Sequence, residues 1–113
     1  LYVEDDNDAR TTTLNLLKNF FTEITTAVDG ADGLKKFKES RFDLILSDIN
    51  MPSLNGLEML KEVRKIDSNI SVLMLSAYDD SKYFMQAIEL DVDGYILKPL
   101  NHDQFVNVLY KIV

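Results

Sequence analysis

Four short stretches of the 113-residue chain end in side chains that could do chemistry together: Glu4-Asp5-Asp6, Ser47-Asp48, Ser76-Ala77 and Lys98-Pro99. Each follows an apolar run, which places it at the end of a strand. A cluster of carboxylates in a half-buried pocket is costly through like-charge repulsion, and a cation relieves that cost. The chain has no cysteine, and its single histidine, His102, opens a helical stretch, so the donors here are oxygens and favour a hard ion. Mg²⁺ fits best, because it takes one or two carboxylates together with waters and a substrate phosphate. Ca²⁺ fits less well, since the acids come from separate strands and no Asp-x-Asp-x-Asp-Gly loop is present. A metal ion, a lysine and a small hydroxyl around one aspartate form a phosphoryl-transfer environment: the cations neutralise the transferring group and the hydroxyl donates to one of its oxygens. A carboxylate can itself be the nucleophile and become an aspartyl phosphate. Asp48, between the cation-binding acids and Lys98, is the candidate acceptor. On spacing alone, an unspecialised acidic strand end remains the alternative.

The elements that must position these groups alternate along the chain. Apolar runs at Leu1–Glu4, Glu23–Val28, Phe42–Asp48, Ile70–Ser76 and Gly94–Leu97 read as strands. Two of them, Phe42-Asp43-Leu44-Ile45-Leu46 and Ile70-Ser71-Val72-Leu73-Met74-Leu75, are nearly continuous, as expected of a parallel sheet covered on both faces. The intervening stretches carry helical spacing: Leu14, Leu17 and Phe21; Ala31, Leu34 and Phe37; Leu57, Leu60 and Val63; Phe84, Ala87, Ile88 and Asp91; Phe105, Val108, Leu109 and Ile112. Asn101 with Gln104 predicts a capping box, and Asp79 or Asp80 is expected to cap the helix through Met85. Asp6 is expected to point to solvent, with Asp8 as cap and Arg10 on the solvated face of the first helix. Five strand–helix units in series imply parallel strands joined by right-handed crossovers, a three-layer α/β sandwich.

Composition bounds the rest. With 46% apolar and 27% charged residues the chain can bury one core and is neither disordered nor of low complexity. No apolar run approaches the roughly 20 residues of a membrane-spanning helix, and no signal peptide opens the chain, so no membrane role is expected. Absence of cysteine excludes a disulfide scaffold and a thiol nucleophile and suits an ordinary cytoplasmic protein. The net charge of −7 repels phosphate backbones, so no direct nucleic-acid binding is expected. The chain opens inside its first strand and closes inside its last helix, the pattern expected of a fragment cut tightly around one domain, residues 1–113.

Taken together and in order, these motifs closely resemble the receiver domain of two-component response regulators, the chemotaxis-regulator-like superfamily. Val3-Glu4-Asp5 is similar to the family's acid pair, Asp48-Ile49-Asn50-Met51-Pro52 to its phosphoacceptor loop with Gly56 beyond, Ser76-Ala77 to its switch pair, and Gly94-Tyr95-Ile96-Leu97-Lys98-Pro99 to its closing signature. The resemblance implies a flavodoxin-like fold with strand order 2-1-3-4-5. It implies that Asp48 accepts a phosphoryl group from a phosphohistidine of a sensor histidine kinase or histidine phosphotransfer protein. Mg²⁺ would be held by Asp5, Asp48 and the backbone carbonyl of Asn50, with Glu4 acting through a water. Lys98 would pair with the phosphoryl oxygens, Ser76 would move to bond them, and Tyr95 would rotate into the space vacated. The Lys98–Pro99 peptide is expected to be cis. The fourth and fifth helical stretches and the strand between them would form the face that controls a downstream effector or output domain, and a homodimer through that face is compatible with the resemblance. The module would be no enzyme beyond slow self-dephosphorylation.

Taken singly, these residues have plainer readings. Ser76 alone is a strand-end hydroxyl, Tyr95 a strand aromatic, His102 a solvated residue, and Met51, Met59, Met74 and Met85 core or loop filler. A rival function is a Mg²⁺-dependent phosphatase of the haloacid-dehalogenase type, but Asn50 stands where its second acid would be. A pseudo-receiver used only for docking would usually lack one of Asp5, Asp48 and Lys98, and a flavodoxin would need a phosphate loop after the first strand. Asn50 and Tyr78 occupy the positions that tune dephosphorylation in this family. Tyr78 is bulky, so Tyr78→Glu or Tyr78→Ala is expected to admit the attacking water and shorten the lifetime of phospho-Asp48. An unchanged or longer lifetime, followed by loss of the phosphorylated mass, would refute this.

Overall fold

In the computed structural model the described residues are 1–51, 54–76, 80–98 and 100–112, with backbone only at 80, 81 and 112. The elements follow in the order β1 (Tyr2–Val3), α1 (Asn7–Leu17), β2 (Thr26–Ala27), α2 (Gly30–Glu39), β3 (Leu44–Asp48), α3 (Gly56–Ile66), β4 (Ser71–Ser76), a 3₁₀ turn (Asp80–Tyr83), α4 (Phe84–Glu89), β5 (Gly94–Leu97) and α5 (His102–Ile112). The five strands form one parallel sheet in the order β2-β1-β3-β4-β5. This is the flavodoxin-like architecture expected from the sequence.

Alternation along the central strands explains their continuous apolar character. Val72 and Met74 of β4 enter one core with Ile45, Phe37 of α2, Leu57, Leu60 and Val63 of α3 and Ala87 of α4. Leu73 and Leu75 enter the other, with Leu46, Ile96, Leu17 of α1 and Phe105 of α5. Successive side chains of one strand therefore point into two separate cores, and polar residues are tolerated only at strand ends.

Local chemistry sets the helix boundaries, and some differ from expectation. Asp6, exposed as expected, is the cap of α1: its carboxylate accepts from the Ala9 amide at 2.8 Å, a role expected of Asp8. The helix ends at Leu17, so Phe21 follows it and packs against the second core with its ring 6.3 Å from that of Phe105. Asn55 and Glu58 form a reciprocal capping box at α3, an Asn-x-x-Glu signal present in the sequence. At α5 one half of the expected capping box is present, Asn101 Oδ1 accepting from the Gln104 amide at 2.8 Å, while Gln104 Oε1 accepts from the Asn101 side-chain amide at 3.5 Å. The α4 start differs: Asp80 opens the 3₁₀ turn, the helix begins at Phe84, and no side chain caps it, while Asp79 lies outside the described residues. On α4 only Ala87 of the expected stripe is buried; Phe84 and Ile88 are exposed, as is Met85. A helix of six residues packs one narrow face and leaves the others to solvent.

Gly56 fixes how closely the loop after β3 approaches the sheet. Its amide donates to the Ile49 carbonyl at 2.8 Å, and a Cβ there would fall 2.1 Å from the Asp48 carbonyl oxygen. That oxygen is backbone and has little room to yield. Gly56→Ala is therefore expected to lower stability by about 1–3 kcal/mol, read from urea unfolding. Wild-type stability in the variant would mean the loop yields freely.

Candidate functional site

Register decides which strand ends meet. Tyr2 and Val3 lie beside Leu46 and Ser47, so Glu4 and Asp48, the next residues, come side by side. Asp48 lies beside Leu75, bringing Ser76 one step further along β4, and Ser76 lies beside Leu97, with Lys98 next. The Lys98 amide donates to the Ser76 carbonyl at 2.8 Å, which anchors the start of the lysine.

The side chains converge on this edge. The Lys98 ammonium lies 2.9 Å from Glu4 Oε1 and 2.9 Å from Asp48 Oδ2. Glu4 is 1% exposed and Asp48 5%, whereas Asp5 is exposed at the pocket mouth. One carboxylate oxygen from each of Glu4, Asp5 and Asp48 lies within 4.8 Å of the others. The second oxygen of Asp48 accepts from the Ile49 amide at 2.9 Å. Ser76 is fully buried, and the Tyr95 hydroxyl donates to its Oγ at 2.9 Å. Asn50 is exposed two residues beyond Asp48.

Electrostatics follow from this packing. Burial is the largest single influence on Lys98 and disfavours its charge. The hydrogen bonds to Glu4 and Asp48, with their negative charges, together outweigh it and hold the ammonium above the ordinary lysine value. Asp5 is pushed above the usual carboxylate range, first by desolvation and then by its hydrogen bond to Glu4 and the charge of that neighbour. Three carboxylates within 4.8 Å against one ammonium leave an excess of negative charge that a hard cation would balance.

The structure thus brings Glu4, Asp5, Asp48 and Lys98 together and sets Ser76 with Tyr95 beside them. The expected cis Lys98–Pro99 peptide and the role of Tyr78 fall on residues 99 and 78, outside the described residues. Arg10 differs from its expected place on a solvated face: it is half-buried, and its guanidinium donates to the Glu4 carbonyl at 2.8 Å and to the Asn7 side chain. No motif in the sequence marks that contact, because it joins a strand end to the next helix through backbone. Asp93, just before Gly94, accepts from the Val72 amide at 2.8 Å and ties β4 to the start of β5.

Residues 1–110 match the family model of the response regulator receiver domain. The chain belongs to this family. Among relatives of the receiver domain, the transcriptional regulatory protein HptR of Staphylococcus aureus is 37% identical over 93 residues, covering 82% of this chain and 36% of that protein. A response regulatory protein of Staphylococcus epidermidis is 37% identical over 89 residues, covering 79% of this chain and 35% of that protein. The chain therefore spans little more than a third of the length of these two relatives. Among solved structures, the chemotaxis protein CheY4 of Vibrio cholerae superposes with a TM-score of 0.88 at 29% identity, covering 99% of this chain and 95% of that one. The N-terminal domain of a Wolinella succinogenes protein gives 0.88 at 38% identity, covering 96% and 88%. A phosphoacceptor switch role in two-component signalling is consistent with this membership. Among the described residues no helix is long and apolar enough to cross a membrane.

The raised Asp5 value has a measurable consequence for the receiver domain. A carboxyl that holds its proton more tightly folded than unfolded contributes stability below the ordinary aspartate value of about 3.9 and loses that contribution as pH rises through its raised folded value. Asp5→Asn removes the charged form. In metal-free buffer the variant is expected to melt above wild type near pH 7, with the difference vanishing below about pH 4. A lower melting temperature at pH 7 would contradict this origin for the shift.

Proposed function

We propose that Asp48 is the phosphoacceptor of a two-component phosphorelay. A carboxylate oxygen of Asp48 attacks the phosphorus of a phosphohistidine on a sensor histidine kinase or histidine phosphotransfer protein. The P–N bond breaks, the P–O bond forms, and the imidazole leaves with the electron pair. The observation that carries this reading is the contact of Lys98 with both Glu4 and Asp48, with Asp5 completing an oxygen-donor triad.

The donor set suits Mg²⁺. Asp5 and Asp48 would ligate it directly with the Asn50 carbonyl, and Glu4, the most buried acid, would hold a ligating water. When bound, the ion supplies charge neutralisation at the phosphoryl oxygens. Lys98, already within reach of Asp48, would transfer its hydrogen bonds to those oxygens. Ser76 would leave its bond to Tyr95 and donate to the phosphoryl group, and Tyr95 would follow inward. This is a population shift between two arrangements, biased by the interactions that phosphate makes in one of them. Phe84, Met85, Ile88, Leu97 and Tyr110 are all exposed large apolar residues, which supports an output face built from α4, β5 and α5. Slow self-dephosphorylation, an output region elsewhere in the full protein and a cytoplasmic setting complete the reading.

Incubation with Mg²⁺ and beryllofluoride is expected to shift the backbone resonances of Ser76, Tyr95 and α4. Acetyl phosphate should add the mass of one phosphoryl group, and Asp48→Ala should abolish both responses. Steady turnover of a small phosphate ester with no stable adduct would favour a phosphatase instead.

A further inference from the structure

We propose that Arg10 is a positioning residue for the acid turn, setting the direction of Asp5 through the main chain of Glu4; for its effect on metal affinity this rests on the Mg²⁺ reading above. Glu4 stands one residue past the end of β1. Its amide is still held by the sheet, donating to the Ala27 carbonyl at 3.0 Å. Its carbonyl is held from outside the sheet, by the Arg10 guanidinium at 2.8 Å across six residues. That carbonyl belongs to the Glu4–Asp5 peptide. Because the peptide group is planar, fixing its oxygen fixes the plane that carries the Cα of Asp5, leaving local rotations about that atom.

Beside the backbone bond from the Arg10 amide to the Asp6 carbonyl at 2.9 Å, two side-chain bonds close the same turn, the Asp6 amide to Glu4 Oε2 at 3.4 Å and the Ala9 amide to Asp6 Oδ2 at 2.8 Å. Both engage the acids' own carboxylates, and the first is long. Arg10 instead grips backbone, from a guanidinium that also donates to the Asn7 side chain on the first turn of α1 and is thereby held in place. The half-buried setting of Arg10 keeps this bond partly out of water. Asp5, exposed at the mouth of the pocket, depends on that turn for its position. Arg10 thus acts as an outer partner of a metal ligand does, through orientation and not through contact with the ion.

Two effects of removing Arg10 have opposite sign, which makes the inference testable. Loss of its positive charge would strengthen cation binding by Coulomb's law, whereas loss of the tether would weaken it. Arg10→Met keeps an apolar stem and removes charge and donors; Arg10→Lys keeps the charge and one donor group. Mg²⁺ titrations followed by NMR are expected to show about tenfold weaker affinity for Arg10→Met, with Arg10→Lys between it and wild type. In the metal-free protein, backbone order parameters at Asp5 and Asp6 should fall in Arg10→Met, while those of β3 stay unchanged. Unchanged or tighter Mg²⁺ binding in Arg10→Met overturns the inference, and so do unchanged order parameters at Asp5 and Asp6 whatever the affinity. A wild-type protein whose resonances ignore Mg²⁺ would sink the metal reading instead, leaving the order parameters to decide on the tether.

Discussion

The carboxyl edge of this sheet depends on one ammonium. Glu4 and Asp48 are almost wholly removed from water, and their side chains come from neighbouring strands, so two negative charges face each other where solvent cannot screen them. Lys98 sits 2.9 Å from each. For a fully buried pair, removing one partner costs about 3–5 kcal/mol; the lysine side chain is 30% exposed, so solvent screening reduces its share here. A lysine suits this task because its charge is a point on a flexible stem and can be shared between two acids, then redirected to a third anion nearby. The same contact that makes the buried acids tolerable also places a cation beside Asp48.

What makes the pocket rigid lies below it. β3 and β4 are covered on both faces, and every residue of β3 from Ile45 to Asp48 is buried. A one-residue slip of β3 against β1 would send Ile45 and Leu46 into each other's core and carry Asp48 away from Glu4. Core packing and site geometry are therefore enforced by the same register. Gly56 adds a second constraint from the α3 side, because its lack of a side chain lets the start of α3 lie against the Asp48 carbonyl.

From the pocket a run of contacts leads outward. Ser76 is bonded to Tyr95, and the Tyr95 ring meets Phe84 edge-on, with centroids 5.1 Å apart, on the exposed side of α4. α4 is short and starts without a side-chain cap. Its far end is held: Arg64 of α3 donates to the Leu90 carbonyl at 3.1 Å and to that of Asp91 at 2.9 Å, where the chain turns through a positive φ of 61°. α4 is thus tied to α3 at its C-terminal end and meets β5 through Phe84 at its start.

Much of this was legible in the sequence because it rests on local pattern. Continuous apolar strands of Ile, Leu and Val can be covered only from both sides, so the order of elements and the layered class followed from the alternation of runs and helical stripes. The acids, the hydroxyl and the lysine followed as well, since in such a sheet strand ends gather at one edge. The boundaries were less legible. Asp6 rather than Asp8 caps α1, and Phe84 and Ile88 face solvent despite their spacing, because caps depend on main-chain direction and burial depends on which neighbour covers a short helix. Tertiary structure alone decided that Lys98 is shared between Glu4 and Asp48, that Gly56 is needed for close approach to a carbonyl, and that Arg10 reaches back to the end of β1. Each of these is a contact between groups on different elements, whose distance is set by register and packing; composition and spacing fix which groups are available and not how far apart they come to rest.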